Sequence, residues 1–175
     1  MSYRGKMKTC AFFGHRDAHK TKDLETRVRE RVERLIREDG VDTFLFGSRS
    51  SFDELCYTVV TALQKTYPHI RRVAYLCRHE IECLVGAGMR LTKQIQEIVG
   101  KEVLVREYEE IKKSDMVNTA GKAAYVERNQ WMIDESDISI FYLSDELAKQ
   151  KGNSGTRLAY RYACRKGKQV YIFSE

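Results

Sequence analysis

FLFGSRSSFDEL, residues 44–55, decides how this chain is read. It begins as a nearly continuous apolar run, the pattern of a strand covered on both faces. It ends at helical spacing, and between the two parts stand a glycine, three serines and an arginine. A plain turn needs a glycine and a cap. Gly47 allows the turn, Ser51 and Glu54 have the S-x-x-E spacing of a capping box, and Asp53 complements the positive end of the helix dipole. Ser48, Arg49 and Ser50 are then left over. The start of a helix carries unpaired N–H groups and a partial positive charge, which suits a phosphate. The junction therefore reads either as a simple turn or as a ligand site. In the second reading Ser48, Arg49 and Ser50 hold phosphate and ribose oxygens, and Asp53 accepts from ribose hydroxyls.

Outward from this stretch, strand and helix patterns alternate. KTCAFF, from Lys8 to Phe13, reads as a strand ending at Gly14. Asp23 to Asp39 reads as a helix with an apolar stripe of Leu24, Val28, Val32, Leu35 and Ile36, stopped by Gly40. DTFLFG is the second strand and Ser51 to Lys65 the second helix. RRVAYLC is the third strand, residues 79–99 read as helical, and EVLVREY (102–108) reads as a fourth strand. After a polar stretch, EEIKKSDMVN, come a helix from about Ala120 to Glu135, the strand DISIFYLS, the loop DELAKQKGNS, a helix from Gly155 to Arg165 and a last strand, QVYIF. The alternation predicts one α/β domain over residues 1–175, a Rossmann-like, open, mostly parallel sheet with helices on both faces. Such sheets bind ligands outside the carboxyl ends of their strands.

Two further junctions then become candidates. Gly14 leaves room for a ligand at the end of the first strand, Arg16 can pair with a phosphate in bidentate fashion, and His15 is either a ring-stacking contact or a loop residue. In NSGT, Asn153 or Ser154 is a suitable cap, and the small residues from Ser154 through Gly155 to Thr156 let a phosphate approach the backbone. The helix AAYVERNQWMIDE adds an anomaly. Tyr125, Val126, Met132 and Ile133 define its apolar stripe, Asn129 falls within it and Arg128 beside it. Buried polar groups need partners, so both either tie down a neighbouring loop or reach a ligand.

Composition narrows the classes. The 175 residues carry one Pro and 42% hydrophobic residues, enough for a sizeable core. The net charge is +6, yet Lys and Arg interleave with Asp and Glu, as in KDLETRVRERVERLIRED, and no nucleic-acid motif accompanies them. A small anionic partner is expected, and a nucleic-acid partner is not. MSYRGKMKTCAFF lacks the features of a signal peptide and no run is long and apolar enough for a bilayer, so a cytoplasmic protein with no membrane partner is expected. The five cysteines lack framework spacing and read as reduced thiols. Cys77, His79 and Cys83 in CRHEIEC raise zinc, but the paired spacings of a structural site are missing; neither metal nor cofactor is expected. P-loop, G-x-G-x-x-G, nucleophile-elbow and HExxH motifs do not occur.

Four blocks, CAFFGHR, VDTFLFGSRSSFDELC, TAGKAAYVERNQWMIDESDISIFY and SGTRLAYRYACRKGKQVYI, together resemble the SLOG superfamily, most closely its small bacterial and phage proteins of the YpsA-like group. The resemblance covers nearly the whole chain and is weakest over 78–118. It implies a Rossmann-like fold that binds nucleotide derivatives. It also implies kinship with the LOG phosphoribohydrolases, which split a base from a nucleoside monophosphate, and with sensors of NAD-derived signals such as cyclic ADP-ribose in bacterial defence. The LOG enzymes carry an arginine on a helix, which Arg128 matches, and a P-G-G-x-G-T-x-x-E motif, whose G-T is matched by Gly155 and Thr156. The double glycine is replaced by GNS, and the glutamate position is Ala159. Glycosidic cleavage passes through an oxocarbenium-like state that carboxylates assist. The resemblance therefore implies binding of an ADP-ribose or NAD-derived signal, as a sensor or sponge in phage defence, ahead of catalysis. A nucleotide hydrolase of the LOG or nucleoside-transferase type is the alternative, with Asp53 as candidate catalytic carboxylate. A homodimer or larger assembly is also implied by the resemblance.

Overall fold

The apolar runs read as strands come together in one sheet. A computed structural model describes residues 7–15, 18–47, 50–77, 106–113, 122–144 and 154–174. Within them, β1 (Lys8–Gly14), β2 (Val41–Phe46), β3 (Arg71–Leu76), β4 (Glu110–Lys113), β5 (Ile138–Tyr142) and β6 (Gln169–Phe173) form a six-stranded sheet of order β4-β3-β2-β1-β5-β6. Every neighbouring pair is parallel. The helices are α1 (Lys22–Arg37), α2 (Ser51–Leu63), α3 (Lys122–Glu135) and α4 (Gly155–Arg165). This is the open Rossmann-like α/β sheet expected from the alternation of elements.

Strand side chains alternate between two cores, as the two-residue period of a strand requires. Cys10, Phe12, Phe44, Phe46, Ile138 and Ile140 pack with α1 and α2. Ala11, Phe13, Leu45 and Phe141 pack with Met132 and Ile133 of α3 and Ala159 and Ala163 of α4. Central strands covered on both faces favour apolar residues at nearly every position, which is why their runs are almost continuous; buried Ser139 of β5 is an exception. The α1 stripe is buried at all five positions that its spacing singles out. Thr21 caps the helix by accepting from the Leu24 N–H at 3.1 Å, and just beyond its end Gly40 takes φ 72°, a left-handed conformation that glycine adopts without steric cost.

Two expectations are corrected. The fourth strand is Glu110–Lys113, EIKK, within the stretch read as polar, while 106–108 are not strand and 102–105 lie outside the described residues. Among the described residues β4 pairs only with β3 and leaves Ile111 54% exposed; a strand at the edge has no second neighbour to demand apolar residues. The cap of α2 is Ser50, not Ser51: Ser50 Oγ accepts from the Asp53 N–H at 3.1 Å, and Glu54 turns outward to pair with Lys20. The segment 79–99, expected to be helical, and the loop residues 145–153 lie outside the described residues. Among the described residues no helix is long and apolar enough to cross a membrane.

Gly14 has a packing reason. A Cβ there would lie 2.5 Å from Phe52 Cβ and 2.7 Å from the Phe52 ring, because the first turn of α2 sits directly on the end of β1. Neither element can yield cheaply, so Gly14→Ala is expected to cost about 1–3 kcal/mol. The measurement is a lower urea midpoint with an unchanged slope.

Candidate functional site

β1 lies between β2 and β5, so the strand order reverses there, and the carboxyl edge around β1 is where a parallel sheet receives ligands. Of the residues singled out in the sequence, those that the structure describes lie along this edge in two neighbouring groups.

The first group lies beside β5. His15 follows β1 directly; burial, and then the positive charge of Arg157, push its imidazole below the usual histidine range, favouring the neutral ring. Arg157 belongs to the first turn of α4, where Ser154 caps the helix by accepting from the Arg157 N–H at 3.2 Å. Thr156 is buried, whereas among the described residues nothing lies within 4 Å of a Cβ added at Gly155. Packing against the described residues therefore does not explain that glycine. Gly14, expected to leave space for a ligand, instead has that space filled by Phe52, which also stacks on Tyr142 at 5.4 Å.

The second group lies at the ends of β2 and β3. Asp53, in the first turn of α2, is fully buried and forms an ion pair with Arg106. Its Oδ1 has no hydrogen-bond partner among the described residues, nor has Asn129 Oδ1 on α3. Arg128 reaches from α3 across the strand ends. It is 3% exposed, its guanidinium lies 5.2 Å from the Tyr125 ring centre, and its Nη1 donates to Cys77 Sγ at 3.8 Å. Gly47 makes this reach possible: a Cβ there would come within 2.5 Å of Met132 Sδ and 3.1 Å of Arg128 Nε. Burial pushes Asp53 up to about 6, against the opposing pull of Arg106, then of Arg128 and the Gly47 amide.

Arg106 was not singled out from the sequence. It is held by a scaffold that fixes residues 106–109 against α2 and β3. Tyr57 Oη accepts from the Glu107 N–H at 2.6 Å and donates to the Glu107 carbonyl at 3.0 Å. Arg72 grips Glu109 through Nε and Nη2, at 3.2 and 2.7 Å, and through its own amide at 2.6 Å. Burial works to raise Glu109, yet the Arg72 contacts outweigh it and hold the carboxyl down to about 2. The Arg106 guanidinium lies 5.3 Å from the Tyr57 ring centre. Beside it Tyr108 is pushed up to about 12, by burial first and then by Asp53. The only foreshadowing of Arg106 in the sequence is its place among the polar residues of REYEE, which carries no motif.

Arg16, Ser48, Arg49 and Asn153 lie outside the described residues, as do His79 and Cys83 of the candidate zinc cluster. Among the described residues no three His, Cys, Asp or Glu side chains are grouped to hold a metal ion. Chemically, the edge offers buried arginine donors, two acceptor oxygens in want of donors, and two helix starts facing the same rim. Compared with known proteins, the chain matches no family model, and no curated protein matches it significantly.

Proposed function

We propose that the chain binds a nucleotide-derived anion of the ADP-ribose or NAD-derived signal class along the carboxyl edge of the sheet, as a SLOG protein acting as sensor or sponge in bacterial or phage immunity. The observation that carries this reading is the second group. A buried carboxylate with one oxygen lacking a donor among the described residues faces two arginines, with the Asn129 acceptor on the helix that carries Arg128. Buried polar atoms call for partners. Ribose hydroxyls supply donors to such oxygens, and phosphates supply acceptors to arginine. The α4 start, with its unconstrained Gly155 and the neighbouring Arg157, suits a phosphate one strand away.

The test is calorimetric titration with ADP-ribose, cyclic ADP-ribose, NAD and AMP. At least one is expected to bind, and Arg49→Ala and Arg128→Ala, each checked for fold by circular dichroism, are expected to weaken it roughly ten-fold or more. A charge-assisted contact is worth about 1.5–3 kcal/mol. Absence of binding by all four ligands, or unchanged affinity in both variants, overturns the reading. Following the same resemblance, a homodimer or larger assembly is expected on sedimentation.

A second reading, a LOG-type hydrolase, is favoured by one observation: a carboxyl raised to about 6 is suited to proton transfer near neutral pH. In that case Asp53 replaces the missing glutamate. Chromatography of AMP, NAD and ADP-ribose after long incubation separates the two readings. Intact ligand supports binding, and turnover abolished by Asp53→Asn supports the enzyme.

A further inference from the structure

We propose that the outer edge of β6 and the basic groove beside it dock an acidic, extended segment of a partner protein, which adds to the sheet as a further strand. Among the described residues β6 is hydrogen-bonded on one side only, to β5. The Phe173 carbonyl accepts from the Leu143 N–H at 2.9 Å and so points inward. Backbone groups alternate in direction along a strand, which turns those of Val170 and Ile172 toward the open edge. The strand, QVYIF, has no charge and no proline, and its register with β5 runs without a shift. It therefore lacks the charge, the proline and the bulge by which edge strands discourage pairing, and no described residue pairs with its outer side. Ile172 is 50% exposed on it.

The side facing α1 supplies the chemistry of the partner. A groove of about 280 Å³ is lined by Arg27, Arg31 and Arg34, with Glu30, and by Tyr171 and Phe173 of β6. The arginines are held over the strand by its aromatic rings: Arg31 lies 4.3 Å from the Tyr171 ring centre and Arg27 5.5 Å from that of Phe173. Arg27 and Arg34 have long ion pairs with Asp23 and Glu38, at 3.6 and 4.0 Å, whereas Arg31 has no carboxylate at ion-pair distance among the described residues. The lining itself sets three cations against one anion, the two outer arginines are only loosely paired, and Arg31 between them favours an acidic occupant. The same charge disfavours a second copy of this chain. Antiparallel pairing of two β6 strands about a two-fold axis sets both α1 helices on one face, arginine row against arginine row, and like charges so placed repel. Strand addition gives affinity through the backbone, and the groove gives specificity through side chains on alternate positions.

The probe is a fluorescein-labelled peptide of about ten residues alternating valine and glutamate, followed by anisotropy, with a valine–lysine peptide as control. Saturable binding that weakens as salt is raised is expected for the acidic peptide alone. The double variant Arg27→Glu/Arg31→Glu, altered on the exposed side of α1, is expected to lose at least ten-fold in affinity. Ile172→Pro removes an outward N–H, a change edge strands tolerate, and is expected to lose as much; circular dichroism checks that both fold. Failure to bind, equal binding of the lysine peptide, affinity unmoved by either variant, tighter binding of a single-stranded oligonucleotide, or a dimer dissolved by Ile172→Pro would each overturn the proposal.

Discussion

Arg106→Ala is expected to lower the free energy of unfolding by about 3–5 kcal/mol, the cost of leaving a buried charge without its partner. Asp53 is fully buried, and the Arg106 side chain is 17% exposed. Replacing Arg106 therefore leaves the carboxylate in a buried site without its ion-pair partner. The loss should depend on pH in a definite sense. The Asp53 carboxyl sits at about 6 in the folded protein, above its ordinary 3.8. Between those values the folded state binds more protons than the unfolded one, so this group's contribution to stability is fully present below about 4 and is lost as pH rises through about 6. Removing Arg106 takes away the largest influence holding the carboxyl down, so the deficit of the variant should be smallest near pH 4 and widen toward pH 7. Urea unfolding of both proteins across that range measures it. A deficit that is flat with pH, or confined to low pH, would show that Asp53 does not depend on Arg106 for its charge.

The importance of that pair also marks where sequence reading stops. α1, α2 and the five apolar strands were legible because each meets a periodic demand: one buried stripe on a helix, or two covered faces on a strand. β4 was not, since an edge strand beside one neighbour can be as polar as EIKK. The cap of α2 slipped by one residue because Ser50–Asp53 and Ser51–Glu54 both have the spacing of a serine cap with an acid three residues on. Burial of Phe52 and Asp53 selects the first pair and leaves Glu54 at the surface with Lys20. Among the site candidates, Arg128 and Asn129 stood out as polar residues in or beside an apolar stripe, and both are buried. Arg106 is 53 residues from Asp53 in sequence. Nothing local to it signals a pair, which exists only because Arg72, Tyr57 and Glu109 bring that segment over α2. Gly14 adds a different lesson. A glycine at a strand end was legible as a close approach, and the group that approaches it in the fold is Phe52.

Ala159→Glu, the change that restores the LOG glutamate, is expected to unfold the protein and not to create an enzyme. In the sequence the missing glutamate lies one helical turn after Gly155 and Thr156, where restoring it looks like adding one catalytic group. In the fold, Ala159 is 3% exposed and packs in the core beneath α4 with Phe13, Phe141 and Ala163. A glutamate there adds four heavy atoms beyond Cβ to a filled space, at about 1–3 kcal/mol for overpacking. Its carboxylate adds an effective burial penalty of several kcal/mol. Together these approach or exceed the roughly 5–15 kcal/mol by which a domain is stable at all. The expected result is aggregated or molten protein, or a midpoint in urea lowered by more than half, with no base released from AMP. Ala159→Val, which tests overpacking without charge, should lose only the smaller part. A folded Ala159→Glu protein that liberates adenine would place this position in the ligand site and not in the core, and would make the chain a phosphoribohydrolase lacking a single side chain.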